Sequence, residues 1–528
     1  MKTQITTLIL ICISIITYSQ SSTFNEKIMA PDGSFNDRFG WAVDIQSEVL
    51  VGGDIFDGTV SEPNTGAAYV FRKNSSGNFI FEQKLKAPFL ESYDNYASEV
   101  EINGDFIAVG APRYKYNDSA NGFPTVESAG AVFLYKYNSA INQWELVNQI
   151  FAPTRQLNHL FGFRVYLTNN QIFISEIEHR YTNVNALRSG KIHVYNYDNN
   201  GNVTYNQGID NPEPSSNDFF GSEISLFGNT LAIGARGEKE DANGNNTLNF
   251  AGAVYVFESN NMGQFILQQK IVPSTRFAYA DFGDGLDIDD STLVVGASSE
   301  TRVQPGTSNT ADCGIVYIFK KVNNTWSQTE IVEPPNVEFN AGYGASINLI
   351  ENTALISYKG GRVPYNGSTI ASGLVEELNI DSNGNIDNRY VIPPPFPDST
   401  NEFGYITSWD GNQLAVGAYA DRGDINGSII PEGSPGAVYI YNLSNSLSTT
   451  SSTFHNIRIL NPVENTINIY GLENDGTYRL FDLQGKTIAE GKLTHVDPHI
   501  DIFNLAKGIY LLNIKVESSV QNFKVLKK

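Results

Sequence analysis

Cysteine is nearly absent from this chain: of 528 residues, Cys12 and Cys313 are the two that carry a thiol. That excludes a disulfide scaffold and a thiolate metal cluster. Basic residues are also short, 35 against 57 acidic, for a formal net charge of −22 at pH 7. Such a field repels phosphate backbones and anionic lipid heads, so no nucleic-acid partner and no membrane-surface docking is expected. Histidine is scarce, at 6 residues. After the first twenty residues no apolar run is long enough for a transmembrane segment. What is plentiful favours strands: aromatics make up 12% of the chain and Gly numbers 46, which leans towards an all-β protein. Length alone would suggest roughly three or four domains.

The apolar run that does exist comes first. Residues 1–20 read as a short positive start, a stretch from Leu8 to Ile16 too short to span a bilayer, and Ser19-Gln20 at a cleavage site. This is the pattern of a secretory signal peptide. A lipoprotein signal would need a small residue before Cys12, and Ile11 stands there.

An aromatic-Gly pair then recurs at Phe39-Gly40, Phe161-Gly162, Phe220-Gly221, Phe282-Gly283, Tyr343-Gly344 and Phe403-Gly404, with Tyr96-Ala97 as a degenerate copy. Successive aromatics are 57, 65, 59, 62, 61 and 60 residues apart. Each unit has a strand after the pair and a second such as Leu231-Ala-Ile-Gly-Ala235. A third opens with Gly, as in Gly252-Ala-Val-Tyr-Val-Phe257, and a fourth resembles Leu267-Gln-Gln-Lys-Ile271. Four short antiparallel strands per unit, repeated seven times, predict a seven-bladed β-propeller over residues 21–441. The last unit stops after its third strand at Tyr441. Residues 24–28 supply a fourth-strand pattern ahead of the first unit, so the spacing predicts that they close the last blade and leave no open sheet edge.

The Phe-Gly and Gly-Ala-Pro pairs, such as Phe39-Gly40 and Gly110-Ala-Pro112, resemble FG-GAP repeats, the units of the integrin α-subunit propeller. The resemblance covers residues 24–441 and implies the propeller fold; it leaves the function open, because propellers host many activities. In that family calcium often sits in an Asp-rich loop between the first two strands. Here those connections are tight turns such as Asn103-Gly104-Asp105, short of the 6–8 oxygens a hard cation takes. Asp287, Asp289 and Asp290 are the nearest remnant, and a solvated turn explains them. Calcium at Asp241/Asn243 or Asp424/Asn426 is the minor reading, and no cofactor is expected.

The loops between second and third strands are long, as in residues 112–129 and 419–435, and long loops on a rigid scaffold commonly carry function. The candidate ligand-binding residues on them are Tyr114, Tyr116, Phe123, Tyr365, Tyr419, Asp421 and Asp424. Rings supply apolar area and carboxylates supply orientation, which suits a glycan or a protein. No catalytic residue is assigned. His159, His179 and His193 fall in the third unit without metal-ligand spacing, and no metal is expected. His193 takes the strand-three slot that Tyr69, Tyr255, Tyr317 and Tyr439 hold elsewhere, so it reads as a packing residue; Glu376 takes that slot in the sixth unit.

Residues 442–453 form a Ser/Thr linker. Residues 454–528 hold roughly seven short strands, the pattern of a small Ig-like β-sandwich. This module resembles the type A sorting domain of the type IX secretion system of Bacteroidota. The matching residues include Asn461, Pro462, Asp482, Gly485, Gly508, Tyr510, Lys524, Lys527 and Lys528. The resemblance implies type IX export machinery as a partner, passage across the outer membrane, and a cell-surface or extracellular location. The expected function is a non-catalytic, adhesion-like propeller binding a glycan, matrix or protein partner through its long-loop face. The competing expectation is a propeller polysaccharide lyase or glycoside hydrolase. The acidity belongs to the propeller, since residues 21–441 carry a formal charge of −24.

Overall fold

The computed structural model describes residues 17–528 except 19–21, 35, 59–63, 90, 116–124, 304–309, 340, 366, 430–432, 444–457, 460–462, 464, 471–474, 483–485, 496–497 and 517–518. The 442–453 linker and all of the signal segment but Thr17–Tyr18 therefore lie outside or at the margin of the described residues. The chain divides into two compact units, Met1–Ser444 and Asn445–Lys528. No helix occurs among the described residues, and none is long and apolar enough to cross a membrane.

The first unit is a β-propeller of antiparallel sheets. Blade one consists of Phe39–Gln46, Val49–Asp54, Ala67–Lys73 and Phe79–Leu85, hydrogen-bonded in that order. Blades two to six repeat the plan from Glu99–Asn103, Phe161–Leu167, Phe220–Phe227, Phe282–Ile288 and Ile347–Ile350. Blade seven begins at Ile406–Trp409, and its outer strand is Ser22–Ile28, antiparallel to Ala437–Leu443 with Lys27 opposite Tyr439. Thr17–Tyr18 runs parallel to the outer strand of blade six.

Position in the blade explains the residue choice. Second strands such as Val49–Asp54, Phe106–Ala111 and Thr230–Ala235 are buried at every residue, because neighbouring blades cover both their faces. They are therefore apolar on both faces. Outer strands such as Phe265–Ile271 are half-buried or exposed from Phe265 to Lys270 and buried only at Ile271. The aromatic of each pair is a core plug: Phe39, fully buried, meets Tyr69 edge-on at 5.7 Å, and Phe403 meets Tyr439 at 5.4 Å.

Two glycines explain how blades join. Gly40 has φ +88° and Gly436 φ +79°, a region that favours Gly. A Cβ on Gly436 would stand 2.1 Å from the Phe39 carbonyl oxygen. The same contact recurs from the strand-three glycine of each blade to the aromatic of the next, as in Gly66 on Tyr96, Gly190 on Phe220 and Gly373 on Phe403. Bare backbone at this slot lets the blades approach closely.

Carboxylates near the axis add a second lock. Asp44 in blade one accepts the Ser408 hydroxyl of blade seven at 2.6 Å and the Ile102 amide of blade two at 2.7 Å. Asp287 in blade five likewise accepts Ser225 Oγ at 2.5 Å and the Leu349 amide at 2.6 Å. Asp287, Asp289 and Asp290 therefore do not converge as a cation loop. Asp289 instead caps its own turn through the Ser291 and Thr292 amides.

The second unit has two antiparallel sheets. One orders Arg458–Ile459, Thr466–Tyr470 and His499–Asp501; the other orders Thr487–Leu493, Gly476–Phe481, Gly508–Val516 and Ser519–Lys527. Ile467 and Ile500 from the first pack with Leu480, Leu512, Ile514 and Val525 from the second, the core of a small β-sandwich.

Candidate functional site

The first strand of every blade borders the propeller axis, so residues at equal offsets from the aromatic-Gly pairs come together around one central cavity of about 580 Å³. Two positions after the aromatic stand Trp41, Phe163, Asp284 and Tyr405. Three positions after it stand Glu99, Arg164 and Glu223, and five after it Asp44, Glu101, Tyr166 and Asp287. Pro112, Arg113, Arg236, Ser299 and Lys359, each at the start of a loop from strand two to strand three, also border the cavity. It therefore meets the long-loop face.

One wall is aromatic. Trp41 lies 4.9 Å from Tyr405 and 5.1 Å from Tyr419, and Tyr405 lies 4.6 Å from Tyr419, as ring centroids. The Arg38 guanidinium sits 5.6 Å over Trp41 and 5.2 Å over Tyr419. The facing wall is ionic. Arg164 bridges Glu99 at 3.0 Å and Glu223 at 3.1 Å, joining blades two, three and four, while Arg236 holds Asp284 at 3.1 Å.

Crowding carboxylates in a narrow channel disfavours their charge. Burial raises Glu99 to about 8 despite the opposing Arg164 cation. Burial also raises Asp44 and Asp287 to about 6 each. Glu101 is pushed well up by burial and then by the Asp44 charge, and Glu223 is raised by burial. Near neutral pH the channel thus holds protonated carboxyls, which donate hydrogen bonds, beside ionised ones, which accept them.

The sequence-derived candidates fare unevenly. Tyr419 does not line the cavity but packs against two rings that do, Trp41 and Tyr405. Tyr365 is 42% exposed on the hairpin Arg362–Tyr365/Ser368–Ala371, away from the cavity lining. Tyr116 and Phe123 lie outside the described residues. Tyr114 is not on a rim: it is 7% exposed and packed edge-on against Phe133 at 5.3 Å, within a core cluster that also holds Tyr96, Tyr135 and Trp144. Asp421 is also interior, at 3% exposure, ion-paired to Lys27 at 2.9 Å and accepting the Tyr439 hydroxyl. Its charge is spent on holding the closing strand. Asp424 caps a turn through the Asn426 and Ser428 amides, each at 2.8 Å, and Asp241 caps one through Asn243 and Asn245.

In the sorting module Asn461, Pro462 and Gly485 lie outside the described residues, as does the Lys524 side chain. Asp482 accepts the Lys486 amide at 2.9 Å, closing a turn, and Tyr510 is buried with its hydroxyl on the Ala506 carbonyl at 2.8 Å. Gly508 opens the strand that carries Tyr510. Lys527 is 5% exposed, and its ammonium donates to the Ile502 and Phe503 carbonyls. Lys528 stays exposed.

The axial residues Trp41, Glu99, Arg164, Glu223 and Tyr405 escaped the sequence reading, which looked to long loops. Their signal was the fixed offset from each aromatic-Gly pair, since everything at one offset must meet at the axis of a closed ring.

The FG-GAP repeat family matches residues 23–71 and 211–257, and the secretion system C-terminal sorting domain family matches residues 461–528. The chain is a propeller with FG-GAP repeats that ends in a type IX sorting domain, and that domain marks it for secretion across the outer membrane to the cell surface or the extracellular space. No curated protein matches the sequence. Among solved structures, Sqt1 of Saccharomyces cerevisiae is 10% identical with a TM-score of 0.40, covering 96% of this chain and 99% of its own. A candidate 6-phosphogluconolactonase of Bacteroides uniformis is 12% identical with a TM-score of 0.42, covering 87% of this chain and 100% of its own. A second, from Bacteroides fragilis, is 12% identical with a TM-score of 0.41, covering 70% and 88%. Likenesses this loose carry no argument about activity.

Proposed function

We propose that this exported propeller is a binding protein for an extracellular carbohydrate, displayed on a glycan or glycoprotein matrix, and that the ligand enters the central cavity from the long-loop face. The supporting observation is the opposition of the Trp41–Tyr405 wall, against which Tyr419 packs, to the Glu99–Arg164–Glu223 triad. Sugar rings present apolar C–H faces that stack on aromatic rings, and hydroxyls that need donors and acceptors at once. A cavity of about 580 Å³ lies within the range usual for small-ligand sites. On this reading residues 1–20 are removed on export and the sorting module directs delivery and surface attachment, so adhesion follows from display.

The test is a glycan and matrix array probed with the exported chain and with Trp41→Ala. Loss of binding in the variant, with unchanged melting temperature, is the expected result. Equal binding by both would remove the cavity from the proposal.

One observation favours a second reading, a lyase or hydrolase acting on a polysaccharide. Glu99 at about 8 stays protonated at neutral pH beside the Arg164 cation, and a protonated carboxyl next to ionised ones is what acid–base cleavage of a glycosidic bond requires. Release of shortened oligosaccharides, abolished by Glu99→Gln while binding persists, would establish it. Binding without products would leave the non-catalytic reading.

A further inference from the structure

A buried carboxylate recurs in the blades at the end of strand two or across from it, and in four blades a fixed cation neutralises it. Asp57 receives the Tyr69 hydroxyl at 2.8 Å and Lys84 at 2.6 Å in blade one. Glu238 receives Tyr255 at 2.8 Å with Lys270 at 3.4 Å in blade four, and Asp421 takes Tyr439 and Lys27 in blade seven. Blade six permutes the pieces: Glu376 holds the tyrosine slot and binds Arg389 at 2.8 Å and the Tyr343 hydroxyl. Chemistry demands this, because an isolated carboxylate taken out of water costs several kcal/mol.

Blade three keeps the carboxylate and loses the cation. Glu176 is 1% exposed, the tyrosine slot holds His193, and the strand-four position opposite His193, where Lys84, Lys270 and Lys27 stand in their blades, is Gly208. No Lys or Arg among the described residues pairs with Glu176. Three imidazoles do: His159 Nδ1 at 2.7 Å, His179 Nδ1 at 2.8 Å and His193 Nε2 at 2.8 Å. Half of the chain's 6 histidines thus converge on one carboxylate. His159 stands in the turn before strand one and His179 in the turn after strand two, so the cluster joins the two connections at one end of the blade.

We propose that this cluster is a binding site for a divalent cation of the zinc class, with His159, His179 and Glu176 as ligands and His193 positioning the carboxylate. The ligand atoms of His159, Glu176 and His179 all lie within 4.8 Å of one another. A tetrahedral cation with bonds of about 2.1 Å separates its donors by roughly 3.4 Å, so the 2.7 Å contact from His159 to Glu176 Oε1 opens by about 0.7 Å, while His179, now 2.8 Å from Oε2, swings to share the cation on Oε1. Two nitrogens and one oxygen suit zinc and its transition-metal neighbours rather than calcium or magnesium, which prefer oxygen alone. His193 Nε2 donates to Glu176 as an orienting partner. Entry is from the side of His179, whose side chain is 17% exposed while those of His159, Glu176 and His193 lie between 2% and 6%. Three protein ligands leave a fourth position for water, and the cation would join the two turns at a carboxylate that, in blades one, four, six and seven, a Lys or Arg reaches from strand four.

The experiment uses the full exported chain, stripped with EDTA, dialysed, and titrated with zinc chloride and with cobalt chloride. The expected result is one equivalent of zinc held per chain, a rise in melting temperature that EDTA reverses, and the visible absorption of tetrahedral cobalt. His179→Gln is expected to abolish stoichiometric binding while keeping the metal-free melting temperature of the parent. His193→Gln is expected to weaken binding by about 10–100-fold without changing its stoichiometry. A His495→Gln/His499→Gln double variant, altered only in the sorting module, is expected to bind as the parent does. Zinc uptake below one equivalent in the parent, or uptake in His179→Gln equal to the parent, would overturn the proposal. So would loss of binding in the sorting-module variant alone.

Discussion

Gly436 lies against the backbone of Phe39, forming a parallel β-bridge between the last blade and the first. The strand-three glycine of each earlier blade presses on its successor in the same way, so this contact closes the ring at the place where chain connectivity does not.

Closure should therefore be sensitive to a single methyl. Gly436→Ala combines a disfavoured φ of +79° with a Cβ 2.1 Å from an oxygen, and is expected to cost about 2–4 kcal/mol. Gly77→Ala shares the positive φ, +84°, but has nothing within 4 Å, and is expected to cost about 1 kcal/mol. Urea unfolding of the two variants separates conformational strain from close approach; equal losses would show that the approach contributes nothing.

Removing the cation from Lys27 leaves Asp421 buried and unpaired, in a pair whose side chains are 1% and 4% exposed. Lys27→Met is expected to destabilise the propeller by about 3–5 kcal/mol, and Lys27→Met with Asp421→Leu to recover part of that. Denaturant midpoints of the single and double variants check this, and no recovery in the double would point to packing instead of charge.

Asp218 is raised to about 8, by burial first and the Glu238 charge second. The folded chain holds this proton more tightly than the unfolded chain, where a carboxyl titrates near about 4. Its contribution to stability is therefore full below about pH 4 and is lost as pH rises through about 8, with a slope of at most ~1.4 kcal/mol per pH unit. Asp218→Asn is expected to flatten this dependence, gaining relative to the parent on going from about pH 5 to about pH 8.5. Parallel unfolding curves of parent and variant at the two pH values would refute the assignment.

Arg164→Met withdraws the cation between Glu99 and Glu223. Below about pH 7 the Glu99 carboxyl, raised to about 8, stays largely protonated and the loss is small. Above about pH 8 the Glu99 charge forms with no cation beside it, so the destabilisation is expected to grow to about 1–3 kcal/mol, tempered by the partial exposure of the site. Thermal melts across this range give the readout, together with loss of carbohydrate binding.

Cys313 is fully buried and its Sγ faces the Glu300 carbonyl at 3.8 Å. A thiol reagent is expected to leave it untouched in the folded chain and to modify it on unfolding. Rapid labelling of the native protein would contradict its place in the core.

Much of the architecture was legible because a propeller repeats its reasons. Phe39 and its equivalents are core plugs in every blade, Gly66 and its equivalents are points of close approach, and apolar second strands follow from cover on both faces. Tyr114 and Asp421 misled because loop membership says nothing about which way a side chain turns. The Asp421 carboxylate, three residues past its strand, folds inward to meet Lys27 from the opposite end of the propeller sequence. Trp41 and Tyr405 were visible as letters, but their partnership crosses from blade one to blade seven.

The amino-acid sequence by itself determined the all-β repeat, the glycines that permit its contacts and the export module at its end, since each depends on local pattern and spacing. Tertiary structure alone decided which side chains share the axis and which buried carboxylates meet lysine, arginine or histidine. The physical reason is that closing a ring sets residues some 60 positions apart beside one another. Charge burial and pKa then depend on neighbours that no local stretch of sequence contains.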